Sequence, residues 1–214
     1  MEAAVDLVLP GDCAGCGGDP APWCNDCLAG LGPPVRVELP GGPVVLAADR
    51  YSGPLREAVL RYKERGRRDL AGPLATVLSP VLDQVAEPAE DLWLVPAPSR
   101  PAAARARGGD HMRRLCRALT ARSDRNVQVA ACLQVTGGTR DSVGLAPAER
   151  IANLAGRVRV RPGRLPPAGA MVVLVDDVVT TGATLRACRE ALATRSVTAD
   201  RAIVVCAALP AFIN

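Results

Sequence analysis

Short apolar runs that cannot lie on a surface set the first constraint on this chain. Residues 92–95, 171–175 and 202–207 are almost continuous in Leu, Val, Ile and Ala. They are too short for helices and too apolar for half-solvated strands. Such strands are buried on both faces, the habit of parallel sheets covered by helices. The first should end at Pro96. Stretches with helical spacing lie between the runs. Residues 55–64 carry Leu55, Val59 and Tyr62 on one face, and 69–85 carry Leu70, Leu74, Val77, Leu78, Val81 and Leu82, with Pro73 and Pro80 expected to interrupt the helix. Asp110 is placed to cap a helix through Ala121, with Met112, Leu115, Cys116 and Leu119 as its apolar stripe. Further helices are expected over 184–195 and near 147–154, and further strands over 127–135 and 157–160. Residues 33–50 read as a β-hairpin around Pro40-Gly41-Gly42-Pro43. The alternation predicts an α/β fold with a largely parallel sheet over residues 33–214. No internal repeat is visible.

Cysteine spacing separates residues 1–32 from that pattern. Cys13, Cys16, Cys24 and Cys27 form a C-x2-C-x7-C-x2-C array, whereas Cys116, Cys132, Cys188 and Cys206 are scattered among apolar neighbours as inert core residues. Paired CxxC units aim four thiolates at one ion, the tetrahedral set that zinc prefers. Two disulfides, disfavoured in a reducing cytosol, and an iron–sulfur centre are the rival readings. A closed tetrathiolate leaves no open position, so its zinc would be structural. A core must be built from aliphatic residues, because aromatics are only 2% of the chain. No run approaches a membrane span, and residues 1–10 lack the pattern of a signal peptide, so a cytoplasmic protein is expected.

The run 171–175 breaks abruptly into Asp176 and Asp177, then Val178, Val179, Thr180, Thr181, Gly182, Ala183 and Thr184. Adjacent acids are costly to bury without partners, so they are expected at the sheet rim, where ligands of such folds bind. A hydroxyl-rich turn feeding a helix N-terminus suits phosphate, and Gly182 permits close approach. Carboxylates repel phosphate but accept hydrogen bonds from vicinal sugar hydroxyls. Phosphate on one side and a diol on the other imply a ribose 5-phosphate group. The competing reading is a surface turn that happens to be acidic.

VVLVDDVVTTGATL resembles the phosphoribosyl pyrophosphate (PRPP) motif of type I phosphoribosyltransferases. The wider chain resembles the ComF family, in which a four-cysteine zinc segment precedes a phosphoribosyltransferase-like domain. The segments YSGPLREAVLRYKERG, LVPAPSRPAAARARGGDH and TRDSVGLAPAERIANLAGRVRV carry that likeness. The resemblance implies that Asp176 and Asp177 hold the ribose hydroxyls and favour the developing ring cation. It implies that Val178 to Thr184 cradle the 5-phosphate, and that Ser99 and Arg100 meet the diphosphate. Mg²⁺ would arrive chelated by the ligand's phosphates, and the phosphoribosyl group would pass to an acceptor that the sequence leaves unassigned. The family is associated with bacterial competence, which implies DNA or the competence machinery as partners and the handling of incoming single strands as an alternative role. A non-catalytic PRPP or nucleotide sensor is a further alternative. Arg105 and Arg107 match the start of the family's R-G-F-N-Q segment, but the chain continues Gly108-Gly109-Asp110-His111. Arg140, Leu145, Glu149, Arg150 and Asn153 are kept from another segment, which lacks its usual glutamine.

Three features have plainer readings. His111, the only histidine, is a candidate acid–base but is expected as a polar residue of a helix's first turn, and Lys63, the only lysine, is a candidate phosphate contact but is expected on a solvated helix face. Residues 61–68, RYKERGRR, are basic but diluted by Glu64 and Asp69, so solvent exposure is expected there too. With so few aromatics to stack bases, the sequence gives no support to intrinsic single-strand binding. No Ser–His or Cys–His constellation is apparent along the chain.

Overall fold

The apolar runs lie side by side. A computed structural model describes residues 12–18, 21–86, 91–99, 104–105, 108–136, 157–161, 163 and 165–208. Its strands are Val35–Glu38 (β1), Val44–Arg50 (β2), Leu92–Pro96 (β3), Val127–Val129 (β4), Leu133–Val135 (β5), Val158–Val160 (β6), Met171–Val179 (β7) and Arg201–Ala207 (β8). Its α-helices are Asn25–Ala29 (α1), Gly53–Glu64 (α2), Ala71–Val85 (α3), His111–Thr120 (α4) and Ala183–Ala193 (α5). Among the described residues, one six-stranded sheet runs in the order β1-β2-β8-β7-β3-β4. All its pairings are parallel except that of β1 with β2. The expected α/β fold with a largely parallel sheet is what the chain adopts.

Side chains on the central strands alternate between two cores. Val173, Val175, Ile203 and Val205 pack with α2, α3 and α4 on one face. Val172, Leu174, Ala202 and Val204 pack with α5 and with the β5–β6 ribbon on the other. Burial on both faces is why these strands read as continuous apolar runs. Residues 12–18 and 21–31 join the first of these layers: Ala14 is buried in its core, and Trp23 and Leu31 pack against it.

Several expected elements differ in extent. The strand expected to stop at Val175 continues to Val179, because β8 reaches Ala207 and pairs opposite Asp176, Val178 and Val179. The single strand expected over 127–135 is two: β4 pairs with β3, and β5 leaves to pair with β6. The ladder cannot follow further along β3, whose next residues include Pro96 and Pro98, neither with an N–H to give. Pro73 falls in the first turn of α3, where its missing N–H costs nothing. Pro80 lies inside that helix without ending it. A proline there costs about 3 kcal/mol, offset here by the burial of Val77, Leu78, Val81 and Leu82 around it. The 33–50 hairpin forms and becomes the sheet edge, since β2 also pairs with β8. The helix expected near 147–154 and residues 209–214 lie outside the described residues.

Leu174 sits at the centre of β7 and is fully buried. Leu174→Ala should therefore cost about 2–5 kcal/mol of unfolding free energy in urea titrations. A cost near that of an exposed substitution would contradict its central place.

Candidate functional site

The carboxyl ends of β3 and β7 open into a cavity of about 540 Å³. Asp176, Asp177, Val178, Thr180 and Thr184 line one side, and Ala97, Pro98 and Ser99 a second. His111 and Met112 from α4, and Val59, Leu60, Lys63 and Glu64 from α2, complete the wall with Tyr51. The juxtaposition of two segments roughly eighty residues apart follows from the parallel pairing of β3 with β7. Pro96 lies opposite Val175, and Ala97 donates its N–H to the Val175 carbonyl at 2.8 Å.

Because side chains alternate along a strand, the two acids face different ways. Asp177 turns toward the layer of α2 and α4 and is only 4% exposed. There it accepts from Lys63 Nζ at 3.0 Å on Oδ1 and lies 2.9 Å from His111 Nε2 on Oδ2. Burial alone would raise its carboxyl, but the His111 hydrogen bond and the Lys63 charge outweigh that and hold it below the usual aspartate value. Burial likewise works to neutralise Lys63, and the charge of Asp177 overrides it, so the ammonium is held above its ordinary value. Asp176 keeps part of its surface open, yet protein surrounds it closely. Burial first, then the neighbouring Asp177 charge, push its carboxyl up to about 7, against a hydrogen bond from the Asp177 N–H and the Lys63 charge.

The expectation of two solvent-accessible acids at a rim therefore needs correction for Asp177. It is a buried member of the ladder, tolerated because both of its oxygens have partners. Lys63 is not on a solvated helix face but reaches into the cavity, its side chain 36% exposed. His111 is buried, its helix capped by Asp110, whose carboxylate accepts from the N–H groups of Met112 and Arg113. Ser99 Oγ lies 3.3 Å from His111 Nδ1. A Ser99–His111–Asp177 chain thus exists where no Ser–His pair was visible in sequence. Its members are 12 and 66 residues apart, beyond local pattern reading. The lone lysine and lone histidine of the chain were the available signals.

The remaining sequence candidates divide. Thr180 and Thr181 are exposed, Thr184 is half-buried, and of the three Thr180 and Thr184 line the cavity. Val179 is buried in the opposite core, and Ala183 begins α5. Gly182 precedes α5 with φ 73°, and a Cβ there would collide with the Leu39 side chain of the hairpin turn. Only glycine suits both demands. Arg100, Arg107, Arg140, Leu145, Glu149, Arg150 and Asn153 lie outside the described residues.

The four N-terminal cysteines converge. Their sulfurs all lie within 4.8 Å of one another, with Cys13 to Cys27 and Cys16 to Cys24 each at 3.7 Å. None forms a disulfide. Backbone N–H groups of Gly15 and Cys24 point at Cys13 Sγ, and that of Gly18 at Cys16 Sγ. Burial would raise the Cys13 thiol, but backbone hydrogen bonds, including those from Cys16, Cys24 and Gly15, bring it to about 6. The group is positioned to bind a metal ion. It seats on α2, where a Cβ on Gly15 would meet Cys27 Sγ and Pro54 Cβ at 2.8 Å each. Asp12 beside it bonds Arg61 at 2.6 Å and Arg67 at 3.3 Å. The basic segment 61–68 is consequently not a free patch: Arg61 and Arg65 also meet Glu57, and Arg67 also meets Asp69.

No protein-family model matches the chain, and neither does any curated protein sequence. Among solved structures it is similar to a hypoxanthine phosphoribosyltransferase from Staphylococcus aureus. In the tetragonal crystal form the TM-score is 0.35, with 16% identity over 64% of this chain and 62% of that one. In the orthorhombic form the TM-score is 0.33, with 15% identity over 71% and 70% of the two chains. In the first comparison the chain thus spans less than two thirds of the enzyme's length.

The raised Asp176 carboxyl links stability to pH. Between 3.8, its value in the unfolded chain, and about 7, the folded protein keeps a proton that the unfolded chain has lost. Stability from this group therefore falls as pH rises through that window. Asp176→Asn, which mimics the neutral acid, should gain stability relative to the parent progressively as pH rises from about 4 to about 7 in urea titrations, and the difference should level off above that. A constant difference across that range would contradict the assignment.

Proposed function

We propose that the cavity binds PRPP with Mg²⁺ and that the protein is a zinc-bearing phosphoribosyltransferase-like protein able to pass the phosphoribosyl group to an acceptor. One observation carries the reading: a strand with paired acids near its carboxyl end, followed by a Thr-rich turn, shares its cavity with the neighbouring strand's Ser99 loop. The turn 180–184 and the N-terminus of α5 hold the 5-phosphate, whose charge the helix dipole favours. Asp176 takes the ribose hydroxyls, having acceptor capacity toward the cavity. Asp177 supports that diol site while keeping Lys63 and His111 in place. Ser99 and the Lys63 ammonium serve the diphosphate, and Arg100, which follows Ser99 in the chain, is assigned to it by the family resemblance alone.

With Asp177 committed to two partners and Asp176 protonated below about pH 7, the site offers no free carboxylate pair to a resident ion. That suits a Mg²⁺ held mainly by the ligand's own phosphates, which would neutralise the leaving diphosphate. As the bond from C1 to the diphosphate lengthens, positive charge grows on the ring, and the Asp177 carboxylate, joined by Asp176 once it is ionised above about pH 7, stabilises it. A non-catalytic PRPP or nucleotide sensor would use the same cavity, and release of pyrophosphate with an acceptor separates the two.

The ion of the four-cysteine group is zinc on this reading, within a segment 1–32 that precedes the domain 33–214. Zinc–sulfur bonds of ~2.3 Å in a tetrahedron set sulfurs about 3.8 Å apart, close to the 3.7 Å of the two cysteine pairs. All four positions are filled by thiolates, so the ion holds structure. The cysteine segment reaches α2, the helix that carries Lys63, through Gly15 and Asp12.

At pH 8, where Asp176 is ionised, Asp176→Asn should weaken PRPP–Mg²⁺ and ribose 5-phosphate alike, by about 1.5–3 kcal/mol, or roughly 10–150-fold, in calorimetric titrations. Thr184→Val should weaken both through the phosphate. Unchanged affinity for both ligands in Asp176→Asn would refute the diol role. For the metal, elemental analysis of protein purified without chelator should find one zinc per chain, lost in Cys24→Ser together with local stability. Metal-free parent protein would refute the zinc assignment.

A further inference from the structure

The Ser99–His111–Asp177 chain has a polarity problem that an anionic ligand would expose. Asp177 is ionised and turned toward Lys63 and His111, so His111 Nε2 carries a hydrogen and donates to it. In neutral His111 the other nitrogen, Nδ1, is then a bare acceptor. The hydrogen between Nδ1 and Ser99 Oγ, 3.3 Å apart, must in that state come from the serine hydroxyl. Ser99 so arranged presents only lone pairs to the cavity, which suits no phosphate. A phosphate oxygen needs the hydroxyl to turn and donate. That would leave two lone pairs facing each other across the gap, unless Nδ1 gains a proton.

We propose that Ser99 and His111 act as a proton-coupled donor for the ligand's diphosphate, an inference that rests on the phosphoribosyl reading of the same cavity. Binding draws one proton from solvent onto His111 Nδ1. The Nδ1–H then donates to Ser99 Oγ, and the Ser99 hydroxyl hydrogen swings from His111 to a diphosphate oxygen. No covalent bond to carbon or phosphorus changes. Ser99 is the contact, and His111 is a positioning residue that sets which way the hydroxyl points.

The surroundings of His111 accommodate the imidazolium. From β7 it faces the carboxylate of Asp177, with Asp176 adjacent. From α2, Lys63 shares Asp177, and the Tyr62 ring stands edge-on with its centroid 5.8 Å away. The Tyr62 hydroxyl donates to the His111 carbonyl at 2.6 Å, fixing the backbone from which the ring projects. On its own helix, Asp110 caps the N-terminus and Arg114 lies one turn on. With Asp177 balancing Lys63, the added proton leaves net positive charge beside the bound diphosphate.

The test is calorimetric titration of inorganic pyrophosphate with Mg²⁺ into the full chain, in two buffers of different ionisation heat. Parent protein, His111→Gln and Ser99→Ala are compared. Protons gained or lost by pyrophosphate itself are common to all three and cancel. The parent should take up one proton more than either variant. Its affinity relative to His111→Gln should fall about tenfold per pH unit over the range where uptake is complete. Ser99→Ala, a change at a half-buried loop position, should keep the fold, bind more weakly and lose the extra proton. Equal proton uptake by parent and His111→Gln overturns the coupling while leaving PRPP binding intact. Absence of binding by the parent to both pyrophosphate and PRPP overturns the coupling and the phosphoribosyl reading together.

Discussion

A carboxylate buried at the end of an apolar strand must find partners, and Asp177 organises the site by finding them. Its two oxygens draw Lys63 from α2 and His111 from α4 onto the end of β7. An unpaired buried charge would cost several kcal/mol, so this geometry ties both helices to the sheet at the point where the cavity opens. Asp176, one residue earlier, lands on the other side of the pleat and has no such pair of partners. Burial, and then the charge of Asp177 beside it, push its carboxyl up to about 7. Two adjacent residues of one type thus have opposite electrostatic character because a strand alternates.

The cysteine group extends the same logic to α2. Asp12, Gly15 and the cysteines bear on Pro54, Arg61 and Arg67 at the two ends of the segment that carries Lys63. Arginines that read as a basic patch are engaged in bracing this segment. The four-cysteine group therefore bears on the cavity through the helix that carries Lys63.

Much of this was legible in the chain, for physical reasons. Doubly buried strands leave continuous apolar runs, so β3, β7, β8 and the α/β class could be read directly. Cysteine spacing announced the four-sulfur cluster because its members lie close in sequence. Contacts assembled by topology were not legible: the Lys63–Asp177 pair spans 114 residues. The extent of β7 was missed because its continuation depends on the length of β8, which local composition does not encode. The place of Ser99 beside the Thr-rich turn was recoverable from the parallel sheet alone. The hydrogen bond that Ser99 shares with His111 was not, because it requires knowing where α4 sits.

The central claim is that one cavity receives phosphate at the α5 N-terminus and sugar at Asp176. A crystal structure of the protein grown with ribose 5-phosphate tests it most directly. The phosphate should lie on the 180–184 turn, within hydrogen-bonding distance of Thr184, with the ring hydroxyls on Asp176. Sugar density in another place, or an inverted ligand with its phosphate against Lys63 and its hydroxyls on the threonines, would contradict the account.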